Sequence, residues 1–246
     1  MSDEMTFQKF SVTKLTLLHL IPGIINLIVI LLILPITNHF GLFSLTAGLL
    51  MVPIGMIPLQ LSILLYFSKK QTNSYNILKI IPFQKKNKII EYLLFVVIMI
   101  AWALLVNGLL ESFEINMRDS IFSFVPEYIA LRNMDLSKYS KYNLIFTAIL
   151  GIISNGIMAP IIEELYFRGF LLPKINLSPI LAVIINAALF SLYHFFSPWQ
   201  FFSRFFMMVP MYYWVIKRQN IRFSLMAHII GNLYSSAGIL ILIFTL

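Results

Sequence analysis

Glu163 and Glu164 are the only acidic residues between position 136 and the C-terminus. They stand in the apolar run Ile161-Ile162-Glu163-Glu164-Leu165-Tyr166-Phe167-Arg168-Gly169-Phe170, directly after Asn155-Gly156-Ile157-Met158-Ala159-Pro160. A charged side chain at the centre of a spanning helix costs roughly 2.5–3.5 kcal/mol. Two carboxylates and one guanidinium together cost about 7–10 kcal/mol before pairing, which points to groups that work inside the membrane. Residues four apart share a helix face, and three polar clusters use that spacing. Glu164 and Arg168 are placed for an internal ion pair, and Glu163 lies about 100° round the helix, free to face elsewhere. Asn186, Phe190 and His194 form a second stripe. His228 and Asn232 form a third, so two of the four histidines lie in these clusters.

The chemistry open to such a set is hydrolysis. A carboxylate shielded between helices can act as a general base, and a nearby histidine can share the water and carry its proton. A second histidine with an asparagine amide supplies donors for the oxyanion of a tetrahedral intermediate. Enclosure in a low-dielectric cavity strengthens each of these interactions.

The elements that must position these groups are membrane helices. The 246-residue chain is 59% hydrophobic and 11% charged, against about 25% charged in soluble domains. Apolar runs place spans near 15–36, 42–67, 90–110, 143–172, 180–196, 202–216 and 223–245. The expected fold is therefore all-α, a polytopic bundle of about seven spans. The 42–67 run holds Pro53 and Pro58; a break there makes eight. Residues 1–142 are expected to supply the N-terminal helices and an outer loop, and 143–246 the core that carries the polar clusters. The absence of cysteine excludes disulfides and thiolate metal sites. The net charge of +8 is read as topology rather than as a nucleic-acid surface.

Met1 to Lys14 is short and polar, and the first span reads as a retained helix rather than a cleaved signal. With the N-terminus inside, the cytoplasmic side receives Lys9, Lys14, Lys69, Lys70, Lys79, Lys85, Lys86, Lys88, Arg168, Lys174, Lys217, Arg218 and Arg222. The outer side receives Arg118, Arg132, Lys138, Lys141 and Arg204. This predicts a multi-pass protein of the cell membrane with its 111–142 loop outside. The lysines between 69 and 88 read as an anchor at anionic headgroups. The aromatics Phe195, Phe196, Trp199, Phe201, Phe202, Phe205 and Phe206 read as an interfacial belt or, alternatively, as part of a substrate entry. His19 reads as a packing or interfacial residue and His39 as a loop residue.

Glu163-Glu164-x-x-x-Arg168, then Phe190-x-x-x-His194, then His228-x-x-x-Asn232, resemble the three ordered motifs of the CAAX protease and bacteriocin-processing family, also called Abi. Phe167-Arg168-Gly169-Phe170-Leu171-Leu172-Pro173 is similar to the run that follows the glutamates in that family. The resemblance covers about residues 155–235 and implies an intramembrane endopeptidase acting on a membrane-embedded or lipidated peptide. It implies that Glu163 and His194 activate water, that His228 and Asn232 form the oxyanion hole, and that Glu164, Arg168 and Phe190 support them. The family has been described both as zinc metalloproteases and as glutamate proteases. Catalytic zinc generally takes three protein ligands, often with histidines paired on one helix. Here the two histidines lie on separate helices, which favours the glutamate reading and leaves a Glu/His/His site for a divalent metal such as zinc open.

Two other classes stand beside this one. The resemblance also allows a membrane interaction protein, a bacteriocin self-immunity factor or a scaffold for another membrane enzyme. Intramembrane carboxylates and histidines also build proton-coupled transporters, although no inverted repeat is visible. One geometric demand follows from the endopeptidase reading. At 1.5 Å per residue His194 lies about 21 Å from a helix start at 180, Glu163 roughly 14 Å from an end at 172, and His228 and Asn232 about 8–14 Å into the last helix. The groups converge only if kinks or tilt bring His194 down.

Overall fold

A computed structural model describes residues 9–130 and 135–245. Among these, seven long helices form one bundle. They are α1 (Val12–His39), α2 (Leu45–Thr72), α3 (Ile89–Asp119), α4 (Lys141–Lys174), α5 (Pro179–Tyr193), α6 (Phe201–Arg218) and α7 (Arg222–Thr245). The first four are long and apolar enough to cross a membrane, while α5 is a shorter apolar helix. One continuous core draws on all seven, from Leu15 and Ile30 through Leu64, Met99, Tyr166, Phe190 and Tyr212 to Phe223. The N-terminal helices are thus packed into the same core as the polar clusters.

Prolines shape the helices that carry the site. Three stretches of α2 and α4 are π-helical: Val52–Met56, Ile152–Met158 and Glu164–Leu171. Each is followed by a residue that donates its N–H five positions back, Ile57 to Val52, Ala159 to Ser154 and Leu172 to Phe167. The next residue is in every case a proline, Pro58, Pro160 or Pro173. A proline ring clashes with the carbonyl four residues before it, and widening the preceding turn relieves that contact. From Leu45 onward the 42–67 run is accordingly one continuous helix, not two segments.

Elsewhere a proline strips a carbonyl of its helical donor and a neighbour replaces it. Pro22 cannot donate to Leu18, and the Tyr166 hydroxyl donates to the Leu18 carbonyl at 2.8 Å. Pro210 cannot donate to Phe206, and Trp102 Nε1 donates to the Phe206 carbonyl at 3.0 Å. Unpaired carbonyls at membrane depth are tolerated only with such substitutes.

One end of the bundle is basic. Lys9 Nζ donates to the carbonyls of Pro173 and Ile175 at 2.9 and 3.1 Å, and Lys174 Nζ donates to Gln71 Oε1 at 3.3 Å. Lys85 N donates to the Gln219 carbonyl at 2.9 Å, and Ile221 N to that of Phe83 at 3.0 Å. These bonds gather the N-terminal segment, the ends of α2 and α4, and the α6–α7 turn, with Lys69, Lys70, Lys79, Lys85, Lys86 and Lys88 exposed around them.

Several expectations are corrected. Arg168 is fully buried inside the bundle and is no topology charge. Residues 111–119 belong to α3, not to a loop, and Glu114 is buried there, accepting from the Ser203 N–H at 3.0 Å. His39 is the last residue of α1 rather than a loop residue. Arg132 lies outside the described residues.

Candidate active site

The depth problem is solved by where α5 stops. It has 15 residues, about 22 Å at 1.5 Å per residue, and so ends inside a hydrocarbon layer of about 30 Å. The expected span 180–196 therefore closes at Tyr193, and His194 is the residue beyond the helix end. Tyr193 is level with the middle of α1 and α2, where its hydroxyl accepts from Asn26 Nδ2 at 2.6 Å and Gln60 Nε2 at 2.9 Å. Gly23 of α1 makes room for this: a Cβ there would lie 2.1 Å from the Tyr193 carbonyl oxygen. His194 Nδ1 donates to the Phe190 carbonyl at 2.8 Å and so caps the helix with its own ring. A carbonyl only accepts, which assigns the proton to Nδ1 and leaves Nε2 as a lone pair.

That lone pair faces Glu163. His194 Nε2 lies 3.8 Å from Glu163 Oε1, and His228 Nε2 lies 3.8 Å from Glu163 Oε2. Glu163, 3% exposed, is therefore lodged between two imidazoles carried by different segments. Glu164 holds the far edge of the second: His228 Nδ1 donates to Glu164 Oε1 at 2.8 Å, and the Ser224 hydroxyl donates to Oε2 at 2.5 Å. The i,i+4 pair read from the sequence is present, with Arg168 Nε 3.4 Å from Glu164 Oε2. It is not private, because Glu164 serves His228 and Ser224 as well. Ser224 belongs to none of the three polar clusters read from the sequence; its place four residues before His228, on the same helix face, is the signal for it.

Arg168 is held mainly by aromatic faces. Its guanidinium lies 3.9 Å from the ring centroids of both Phe190 and Tyr212, a double cation–π contact in a desolvated setting. The π-helical register also lets its Nη1 reach the Glu163 carbonyl, five residues back, at 3.5 Å. Phe190 thus supports the site by covering Arg168 and by presenting its carbonyl to His194.

Asn232 donates from Nδ2 to the Asn155 carbonyl at 2.9 Å, which leaves a second amide hydrogen for another acceptor. Asn186 takes no part: it is fully buried and donates to the Phe167 carbonyl and His19 Nε2, 3.1 and 3.0 Å away. His19 in turn donates to Leu15, which makes it a satisfied packing residue.

Glu163, His194, His228 and Asn232 all line one cavity of about 850 Å³. Its wall continues through Met99, Asn107 and Met207 to Arg118 and Ile129, toward the end of α3 and away from the lysine-rich end. Phe196 and Trp199, expected in an interfacial belt, line it too, as does Arg204. Among the described residues no group of three or more histidine, aspartate or glutamate side chains is placed to hold a metal ion. Both imidazoles do turn Nε2 toward Glu163 with Nδ1 tied to an acceptor, the arrangement found in metal-ligating histidines. The 3.8 Å separations are those at which one small species could bridge the three groups.

The segment carrying this cluster, from the middle of α4 to α7, can be compared with known families. Residues 145–234 are similar to one such family. They match the family described as Type II CAAX prenyl endopeptidase Rce1-like, in keeping with the resemblance read from the three motifs. The matched segment contains Glu163, Glu164, Arg168, Phe190, His194, His228 and Asn232. No curated protein and no solved structure matches the chain.

Proposed function

We propose that the protein is an intramembrane endopeptidase in which Glu163 is the general base. The observation that carries this reading is the position of its carboxylate between the Nε2 atoms of His194 and His228, on the wall of a cavity large enough for a peptide segment. A water seated against Glu163 and the His194 lone pair loses its proton to Glu163 and attacks the scissile carbonyl. The carbonyl becomes an oxyanion, which receives the second amide hydrogen of Asn232. His228 adds a donor only when doubly protonated, since Glu164 already holds the Nδ1 hydrogen. As the intermediate collapses, Glu163 returns the proton to the leaving amine.

Glu164, Arg168 and Phe190 position these groups: Glu164 sets the His228 tautomer, Arg168 balances Glu164, and Phe190 covers Arg168. The substrate class is a peptide embedded in or anchored to the membrane. A metal bound by Glu163, His194 and His228 would supply a more acidic water; nothing in the steps above requires one. The test compares the membrane proteome of cells carrying the wild-type protein with that of cells carrying Glu163→Gln. One precursor should accumulate with the variant, and its purified form should be cut by wild type and not by the variant. Identical proteomes, or cleavage by Glu163→Gln at the wild-type rate, would sink the reading.

A further inference from the structure

The charge pattern of the sequence places Arg204 among the outer-side cations. In the structure it stands one turn into α6 on the wall of the cavity that holds Glu163 and His194. Its guanidinium is gripped by neutral acceptors: Nη1 donates to the Ser197 carbonyl at 3.0 Å, and Nη2 donates to the Ser197 hydroxyl and to Gln200 Oε1, the last at 2.7 Å. Ser197 N in turn donates to the His194 carbonyl at 3.0 Å. The turn that ends α5 thus ties the cation to the catalytic histidine at a set separation.

Among the described residues Arg204 makes no ion pair. Glu114 and Glu163 are the carboxylates whose charge reaches Arg204, and neither is in ion-pair contact with it. Glu164 holds Arg168, Ser224 and His228. Glu114 accepts from the Ser203 N–H, capping the start of α6. Arg118, the other cation on the cavity wall, pairs with Asp119 at 2.8 Å. A planar fork of donors facing a cavity in a low-dielectric surround, with no carboxylate in direct contact, is built to receive one from outside.

We propose that Arg204 is a subsite for a carboxylate of the peptide substrate, which it holds beyond His194 while the scissile bond lies against Glu163. This rests on the endopeptidase reading for its purpose, not for its geometry. The carboxylate can come from a free C-terminus or from an acidic side chain. A substrate so held is cut at a set distance from that group, and the group leaves with the released fragment.

The experiment uses full-length Glu163→Gln protein in phosphatidylcholine nanodiscs, so that bound peptide survives. Binding is read by intrinsic tryptophan fluorescence, for which Trp199 lines the cavity. The probes are an N-acetylated apolar pentapeptide with a free C-terminus, its C-terminal amide, and the amide with glutamate as the last residue. At least one carboxylate-bearing probe should bind ten-fold or more tightly than the plain amide, and which one does identifies the source. Adding Arg204→Gln should bring that ratio to about one, and Arg204→Lys should restore part of it. Because the ratio is taken within one sample, loss of folded protein does not mimic the effect. Equal binding of all three probes to the Arg204 protein overturns the proposal, as does a preference that Arg204→Gln leaves intact. Loss of the preference when phosphatidylglycerol replaces phosphatidylcholine also overturns it, by making Arg204 a headgroup site. An Arg204-dependent preference in a protein that hydrolyses nothing would uphold the subsite and sink the protease reading, so the two failures are distinguishable.

Discussion

Glu164 accepts a hydrogen bond from His228 Nδ1 at 2.8 Å, and this bond turns the opposite nitrogen of the ring toward Glu163. The two adjacent glutamates therefore meet the same imidazole from its two edges. One orients the ring; the other faces its free nitrogen.

Substitutions at the two glutamates should differ in kind. Glu163→Gln should lower turnover by about 10²–10⁴-fold, the usual contribution of a positioned base, while leaving thermal unfolding in detergent near wild type. Glu164→Gln leaves Arg168 without its charge partner and His228 without its orienting acceptor. Removing one partner of a buried pair costs about 3–5 kcal/mol, so this variant should lose both activity and melting temperature. Equal melting temperatures for the two variants would refute the division of labour.

Arg168→Lys keeps the charge and discards the plane. The guanidinium is sandwiched 3.9 Å from the Phe190 and Tyr212 ring centroids, a fit that an ammonium cannot reproduce. A loss of roughly 2 kcal/mol is expected from the weakened cation–π contacts. It should be visible as a lower unfolding midpoint, and wild-type stability would show that charge alone matters.

Tyr166 and Pro22 should be coupled. Tyr166→Phe strips the Leu18 carbonyl of its donor, at a cost of about 1–3 kcal/mol. Pro22→Ala returns a backbone N–H to that carbonyl, so the second change should recover stability lost to the first. A double-mutant cycle in unfolding free energy measures it, and strict additivity would contradict the pairing.

Gly23→Ala puts a methyl group 2.1 Å from the Tyr193 carbonyl oxygen. Overpacking of this kind costs about 1–3 kcal/mol, and here it pushes on the residue next to His194. Activity should fall more steeply than the yield of folded protein. A variant of normal activity would mean that α1 and α5 part without moving His194.

Much of this was legible in the chain. Apolar runs located seven helices because hydropathy over about 20 residues answers directly to membrane thickness. The polar clusters stood out because charge and amide groups are costly in that setting. Helix ends were less legible: the run at 90–110 extends to Asp119, and α5 stops at Tyr193. A polar residue such as His194 can continue a helix or end it, and the Gly23–Tyr193 contact that accompanies the stop joins residues far apart in sequence.

The sequence by itself determined the helical bundle, the order of Glu163, Glu164, Arg168, His194, His228 and Asn232, and the prolines that widen α2 and α4. These follow from composition, spacing and the missing N–H of proline, all of which act along the chain. Only the tertiary structure decided that Glu163 lies between two Nε2 atoms, that Glu164 serves His228 and Ser224 besides Arg168, and that Arg204 belongs to the cavity rather than to the surface. Those outcomes depend on the depth at which one helix stops against another and on which ring edge finds an acceptor. Both are set by packing among segments up to 170 positions apart, such as Gly23 and Tyr193, and spacing along one helix carries no trace of them.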